Sequence, residues 1–136
     1  MRRDVRSQKG FTLVEVLAVL IIVAILAGVG TPIYMGYIKT ARAADAQTTI
    51  SAIVTANKIY FQKYSEYTSD LDELRKKGGV RIDEATEVNW NFEIGAAGEN
   101  FERVRATSTE EMPGGAGEVI EFDVKKGSFT GYGMDE

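Results

Sequence analysis

Lys9-Gly10-Phe11-Thr12-Leu13-Val14-Glu15 opens an apolar run that extends to Ile38 and holds one charged side chain, Glu15. As a helix, about 28 residues at about 1.5 Å rise each exceed the roughly 30 Å hydrocarbon thickness of a bilayer. Arg2, Arg3, Arg6 and Lys9 precede the run against Asp4 alone, a net charge of +3 that suits a cytoplasmic end. A carboxylate in hydrocarbon costs about 2.5–3.5 kcal/mol on insertion scales, so Glu15 marks a site that needs a partner.

Gly10-Phe11-Thr12-Leu13-Val14-Glu15, with basic residues before it and an apolar run behind, resembles the processing signature of type IV prepilins and pseudopilins. The resemblance covers the first quarter of the chain. It implies that a membrane-bound prepilin peptidase cuts between Gly10 and Phe11 and methylates the new amine at Phe11. Residues 1–10 are then a basic leader that is removed, and Glu15 becomes the fifth residue of the mature chain. Pro32 falls where the family often has a helix-bending proline. Many pilins also close a C-terminal loop with a disulfide; this chain has no cysteine and must hold that region by packing or an ion.

Removing residues 1–10 takes four of the 16 basic and one of the 20 acidic residues, leaving 12 against 19 and a net charge of −7. A domain that acidic repels nucleic acid, so none is expected as a partner. There is no histidine, the commonest general base and metal ligand. The chain has 136 residues, so the part outside the apolar run suits one small core.

An ordinary secretory signal peptide is the competing reading of the N-terminus, with 16–30 as its apolar region and a cut near Ala27-Gly28. Against it, Glu15 interrupts the run, which continues past Gly30 through Ile33, Tyr34 and Tyr37. Gly28, Gly30, Pro32 and Gly36 cluster in its second half. A proline removes a backbone hydrogen bond and each glycine costs about 1 kcal/mol in a helix, so a kink or loosening is expected around Gly28, Gly30 and Pro32.

Over 39–64 the pattern turns amphipathic, with Ala46, Ile50, Ile53, Tyr60 and Tyr64 spaced by about three or four residues, Val54 and Phe61 beside them, and Asn57 interrupting the stripe. One helix is expected from Phe11 to about Tyr64. Beyond it, Ser69 with Asp72 or Asp70 with Glu73 stands at cap spacing for a short helix carrying Leu71 and Leu74, which Gly78-Gly79 ends. Val88, Trp90, Phe92 and Ile94 alternate with polar neighbours, 95–100 reads as a turn, and 101–107 as a second strand with Val104 and Ala106 inward. A glycine-rich loop over 112–117, a strand over 119–124, a Lys125-Lys126-Gly127 turn and a segment over 128–132 complete the pattern.

The expected fold is α+β and pilin-like: a long N-terminal helix whose second half packs on a small antiparallel sheet of three or four strands. Residues 11–38 form its transmembrane or filament-core part and 39–136 the globular domain. No catalytic constellation is present, no cofactor or metal is expected, and the chain is not expected to be an enzyme. Asp70, Asp72 and Glu73, or Glu110, Glu111 and Glu118, lack calcium-loop spacing. Arg103, Arg105, Lys125 and Lys126 fit a solvated strand face better than a patch for DNA. The aromatic series Tyr34, Tyr37, Tyr60, Phe61, Tyr64 and Tyr67 reads as packing.

The resemblance implies a structural subunit of a type IV pilus-like filament, held in the inner membrane as a precursor and then assembled with other copies or related pilins outside it, extracellular or periplasmic. Its partners would be those pilins, the peptidase and the inner-membrane assembly machinery. It also implies that Glu15 pairs with the Phe11 amine of a neighbouring subunit. The alternatives are a pseudopilin of a type II secretion system and a single-pass anchored binding protein that never polymerises.

Overall fold

The computed structural model describes residues 9–134. Most of the expected leader, residues 1–8, lies outside the described residues. The chain divides into two compact units that meet between Tyr37 and Ile38.

The first unit is the apolar part of α1 (Leu13–Tyr64), a single helix of 52 residues. Many of its early side chains are β-branched (Val14, Val16, Val19, Ile21, Ile22, Val23, Ile25), a composition that in water weighs toward strand. An apolar surrounding reverses that preference, because a helix satisfies every backbone group within the segment. Its large apolar side chains are all exposed, from Phe11 at 85% to Tyr37 at 72%. Among the described residues nothing covers them.

In the second unit α1 is amphipathic, as its spacing predicts. Ala43, Ala46, Ile50, Ile53, Val54, Ala56, Asn57 and Tyr60 are buried. Tyr64, expected on the same stripe, is instead 46% exposed and packs its ring 4.5 Å from that of Tyr60. Asn57 does not interrupt the stripe. It is fully buried, donates to the Thr68 carbonyl at 2.9 Å and accepts from the Thr68 amide at 3.1 Å, so it clips the returning chain to the helix. That return follows Ser65, whose φ of 59° turns the chain out of α1.

Helix α2 (Leu71–Glu73) is capped by Asp70, whose carboxylate accepts from the amides of Asp72 and Glu73. A π-helical turn, Leu74–Gly78, continues it and ends at Gly79, in the left-handed region at φ 73°. Leu74 is fully buried and Leu71 half-buried. Helix α3 (Glu84–Asn89) stands where the alternation places the start of a strand. Val88 therefore does not point into the core; it is 50% exposed at the helix end. Glu84 and Glu87 in the first turn favour a helix N-terminus, and that local preference overrides the period-two pattern.

Four strands form an antiparallel meander in the order β1 (Trp90–Ala97), β2 (Asn100–Ser108), β3 (Val119–Asp123), β4 (Ser128–Gly131). The first hairpin is longer than expected, with Gly98 and Glu99 between its strands. Its register slips at Gly95/Ala96: Gly95 pairs with Arg103, but Ala96 pairs with Phe101. The bulge leaves Glu102 over and turns Phe101 onto the face that carries Val104 and Ala106.

The inner face of the sheet (Trp90, Phe92, Ile94, Phe101, Val104, Ala106 and Ile120) joins the buried stripe of α1, Leu74, Val80 and Met112 in one core. The segment after β4 closes its base. A Cβ at Gly133 would overlap Ala43, Gln47 donates to the Met134 sulfur at 3.4 Å, and Lys39 sits 4.9 Å over the Tyr132 ring.

Candidate processing and assembly site

Gly10 and Phe11 lie in exposed, non-helical chain ahead of α1. Thr12 is the residue before the helix, and the first helical bond runs from the Val16 amide to the Thr12 carbonyl at 3.2 Å. The Thr12 hydroxyl accepts from the Glu15 amide at 3.2 Å, and a Glu15 carboxylate oxygen accepts from the Thr12 amide at 3.4 Å. This is a reciprocal capping box, which satisfies two amides that the helix start would leave open. A negative group in the first turn also complements the helix dipole. The signal is legible as Thr-x-x-Glu before an apolar run, although the resemblance directs Glu15 only to an amine.

The box brings Glu15 next to the cut expected between Gly10 and Phe11. Its carboxylate reaches the amide of Thr12, one residue from the Phe11 nitrogen that cleavage would free. One of its oxygens is engaged there, and the other makes no hydrogen bond among the described residues. A carboxylate can accept through both.

The other predicted positions lie further along the first unit. Pro32 stands inside α1 without ending it, so the Gly28 carbonyl has no i+4 amide to accept from. One residue earlier the Thr31 hydroxyl donates to the Ala27 carbonyl at 2.8 Å. At Gly10, Gly28 and Gly30 an added Cβ would meet nothing within 4 Å. Among the described residues nothing makes glycine necessary at these three positions.

A second polar cluster, in the other unit, joins α1 to α2 and its π-helical turn. Glu73 accepts from Lys77 at 2.7 Å and from the Thr68 hydroxyl at 3.0 Å. Lys77, with Thr68 and Tyr60 after it, holds the Glu73 carboxyl below its ordinary range, and the same contact raises the Lys77 ammonium. Burial, then the bond to Glu73, pushes the Tyr60 phenol up. Lys77 also lies 5.2 Å over the Tyr64 ring.

The remaining candidate groups resolve into structure. Arg103 and Arg105 both reach Glu121, and Lys126 reaches Asp123 at 3.7 Å, so these cations share carboxylates on the outer sheet face. The Lys126 and Lys125 amides hold the Asp123 carboxyl below its ordinary range. Among the described residues no three carboxylates gather as metal ligands. Phe61 stacks on Tyr67 at 4.4 Å, and Tyr67 packs against Phe101 at 5.1 Å, continuous with the core.

Residues 5–31 match the family model described as the prokaryotic N-terminal methylation motif. Its N-terminal segment carries the prepilin-type signature and supports a place beside the type IV pilins. It is similar to the type IV major pilin protein PilA of Myxococcus xanthus (strain DK1622), with 29% identity over 83 residues, 57% of this chain and 38% of that protein. It is also similar to a fimbrial protein of Moraxella nonliquefaciens, with 40% identity over 50 residues, 37% of this chain and 32% of that one. The match thus spans about a third of the length of these curated pilin relatives. The long N-terminal helix and four-stranded antiparallel sheet make a pilin-like α+β fold.

Proposed function

We propose that this chain is a structural subunit of a type IV pilus-like filament, cut between Gly10 and Phe11, methylated at Phe11 and assembled by packing of its N-terminal helices. The observation that carries the reading is the methylation motif at the head of an apolar helix whose large apolar side chains are exposed among the described residues. A membrane holds that surface in the precursor, and the helices of other copies or related pilins cover it in the filament, outside the inner membrane.

In the precursor Glu15 caps its own helix. Once Phe11 carries a free amine, the second oxygen of Glu15 is available to the Phe11 amine of a neighbouring copy. An opposite charge at contact distance offsets the desolvation of a carboxylate among apolar helices. Gly28, Gly30 and Pro32 form a weak stretch in which the helix bends or loosens to fit its neighbours.

Mass spectrometry of material sheared from the cell surface tests the reading. The expected N-terminus is methylated Phe11, and a bulky residue in place of Gly10 leaves the precursor uncut. A surface chain that begins at Met1 or near Thr31 overturns it.

A further inference from the structure

One side of α1 in the second unit takes no part in the core. Between its Ala52, Thr55 and Ile59 and the 79–81 segment runs an open groove of about 380 Å³, lined mainly by small and apolar groups. Ile59 is 39% exposed there, and Gly79 offers only backbone. Arg81 edges the groove, and Lys58 stands one helical turn on from Thr55. Neither cation makes an ion pair among the described residues.

The complementary chemistry stands elsewhere on the same unit. The loop between β2 and β3 carries Glu110, Glu111 and Glu118, all exposed and none in an ion pair among the described residues, around an exposed Pro-Gly-Gly-Ala-Gly stretch. This loop is pinned from within. Ser108 donates its hydroxyl to the Gly115 carbonyl at 2.8 Å and accepts from the Glu118 amide at 2.9 Å, Met112 is buried beneath it, and Arg42 donates to the Pro113 carbonyl. A loop already fixed in shape loses little freedom on docking.

We propose that the groove receives the 110–118 loop of a second copy of this chain, with Lys58 and Arg81 meeting its three glutamates. The proposal rests on the filament reading. Charge names the occupant: copies with a net charge of −7 after processing repel one another unless a basic rim meets an acidic loop. Size agrees, because a shallow floor of alanine, threonine and glycine admits proline, glycine and alanine but no bulky tip. Groove and loop are different surfaces, so the contact is heterologous. A joined pair keeps one free groove and one free loop, and such contacts propagate into an open helical polymer unless the rotation closes a ring. The loop is tied to α1 at Arg42 and the groove centres near Thr55, so parallel copies joined this way are staggered by about 20 Å at 1.5 Å per residue.

The absence of cysteine from the chain makes cross-linking a clean test, run on the full chain in cells. Thr55→Cys and Ala116→Cys placed in one chain should yield a ladder of disulfide-linked oligomers in sheared filaments. The same two substitutions on separate co-expressed copies should stop at a dimer, and Ala116→Cys with Thr130→Cys should give no ladder. Arg81→Glu should reduce cross-linking at least tenfold, and adding Glu111→Arg should restore it. Filaments that form normally with no Thr55–Ala116 ladder overturn the proposal. Absence of any surface filament from the unsubstituted chain would overturn the filament reading beneath it.

Discussion

Replacing Glu15 with glutamine separates its two roles. Glutamine keeps an oxygen for the Thr12 amide, and Gln serves at the third position of a capping box as Glu does. What it loses is the charge. If Glu15 only caps its own helix, Glu15→Gln costs a fraction of the roughly 1 kcal/mol that a cap contributes. If Glu15 pairs with the Phe11 amine of a neighbour, the change strands a cation among apolar helices at about 3–5 kcal/mol. At 1.4 kcal/mol per tenfold that is a loss of incorporation of about a hundredfold to a few thousandfold. The control is Thr12→Val, which removes the hydroxyl end of the box and leaves the charge; about 1 kcal/mol limits its effect to less than about tenfold. Tagged wild-type and variant chains would be co-expressed and their ratio measured in sheared filaments against the membrane pool. We expect Glu15→Gln to be inserted and cleaved but nearly absent from filaments, like Glu15→Ala, with Glu15→Asp intermediate. Equal incorporation of Glu15→Gln and wild type would reduce Glu15 to a helix cap and refute the pairing.

Asn57→Ala removes both bonds to Thr68 and leaves the half-buried amide and carbonyl of Thr68 without their Asn57 partner, so the second unit should lose about 2–4 kcal/mol. For a unit near 100 residues that lowers Tm by roughly 10–25 °C, readable by circular dichroism in detergent; a shift within a few degrees contradicts the clip. The Glu73 cluster sets a pH dependence. Because its folded carboxyl is held low, its stabilisation is complete above the ordinary carboxylate range and fades as pH falls through and below it, whereas Lys77, held high, loses its share only in strong alkali. Thermal melts from neutral pH down to about 3 should therefore steepen below the ordinary carboxylate value of about 4.3, and Glu73→Gln should flatten that limb; an unchanged limb would place the acid sensitivity elsewhere.

The elements most legible in the sequence are those that a single physical preference governs. The α1 stripe and the β2 alternation each show a period that burial then enforces, and the apolar run shows itself by length and composition alone. The misses occur where two local signals compete or where a residue's role is set at a distance. Val88 obeys the strand alternation, but acidic residues at a helix start decide its conformation. Phe101 has the wrong parity for the core until a bulge at Glu102 corrects it, and no pattern in β2 alone marks that bulge. Asn57 looks like a defect in the stripe because its partner, Thr68, belongs to a turn whose path is set by Ser65. Thr12 is readable as half of a capping box. It is eclipsed because the apolar run directs attention to the cost of a buried charge instead of to the open amides of a helix end.

The packing of Gly133 and Met134 on Ala43 and Gln47 also orders events in time. The separation between Gln47 and Met134 is 87 residues, so the base of the core closes only after the chain has been made through Met134. Contacts of that span form late, because the loop between them must be ordered before they contribute. The apolar part of α1 is synthesised first and needs no tertiary partner in the chain. In a membrane-held precursor it is therefore anchored while the second unit is still incomplete, and the four-stranded meander closes on a helix whose start is already fixed. Substitutions at Gly133 should then slow the last step of folding and leave membrane insertion untouched.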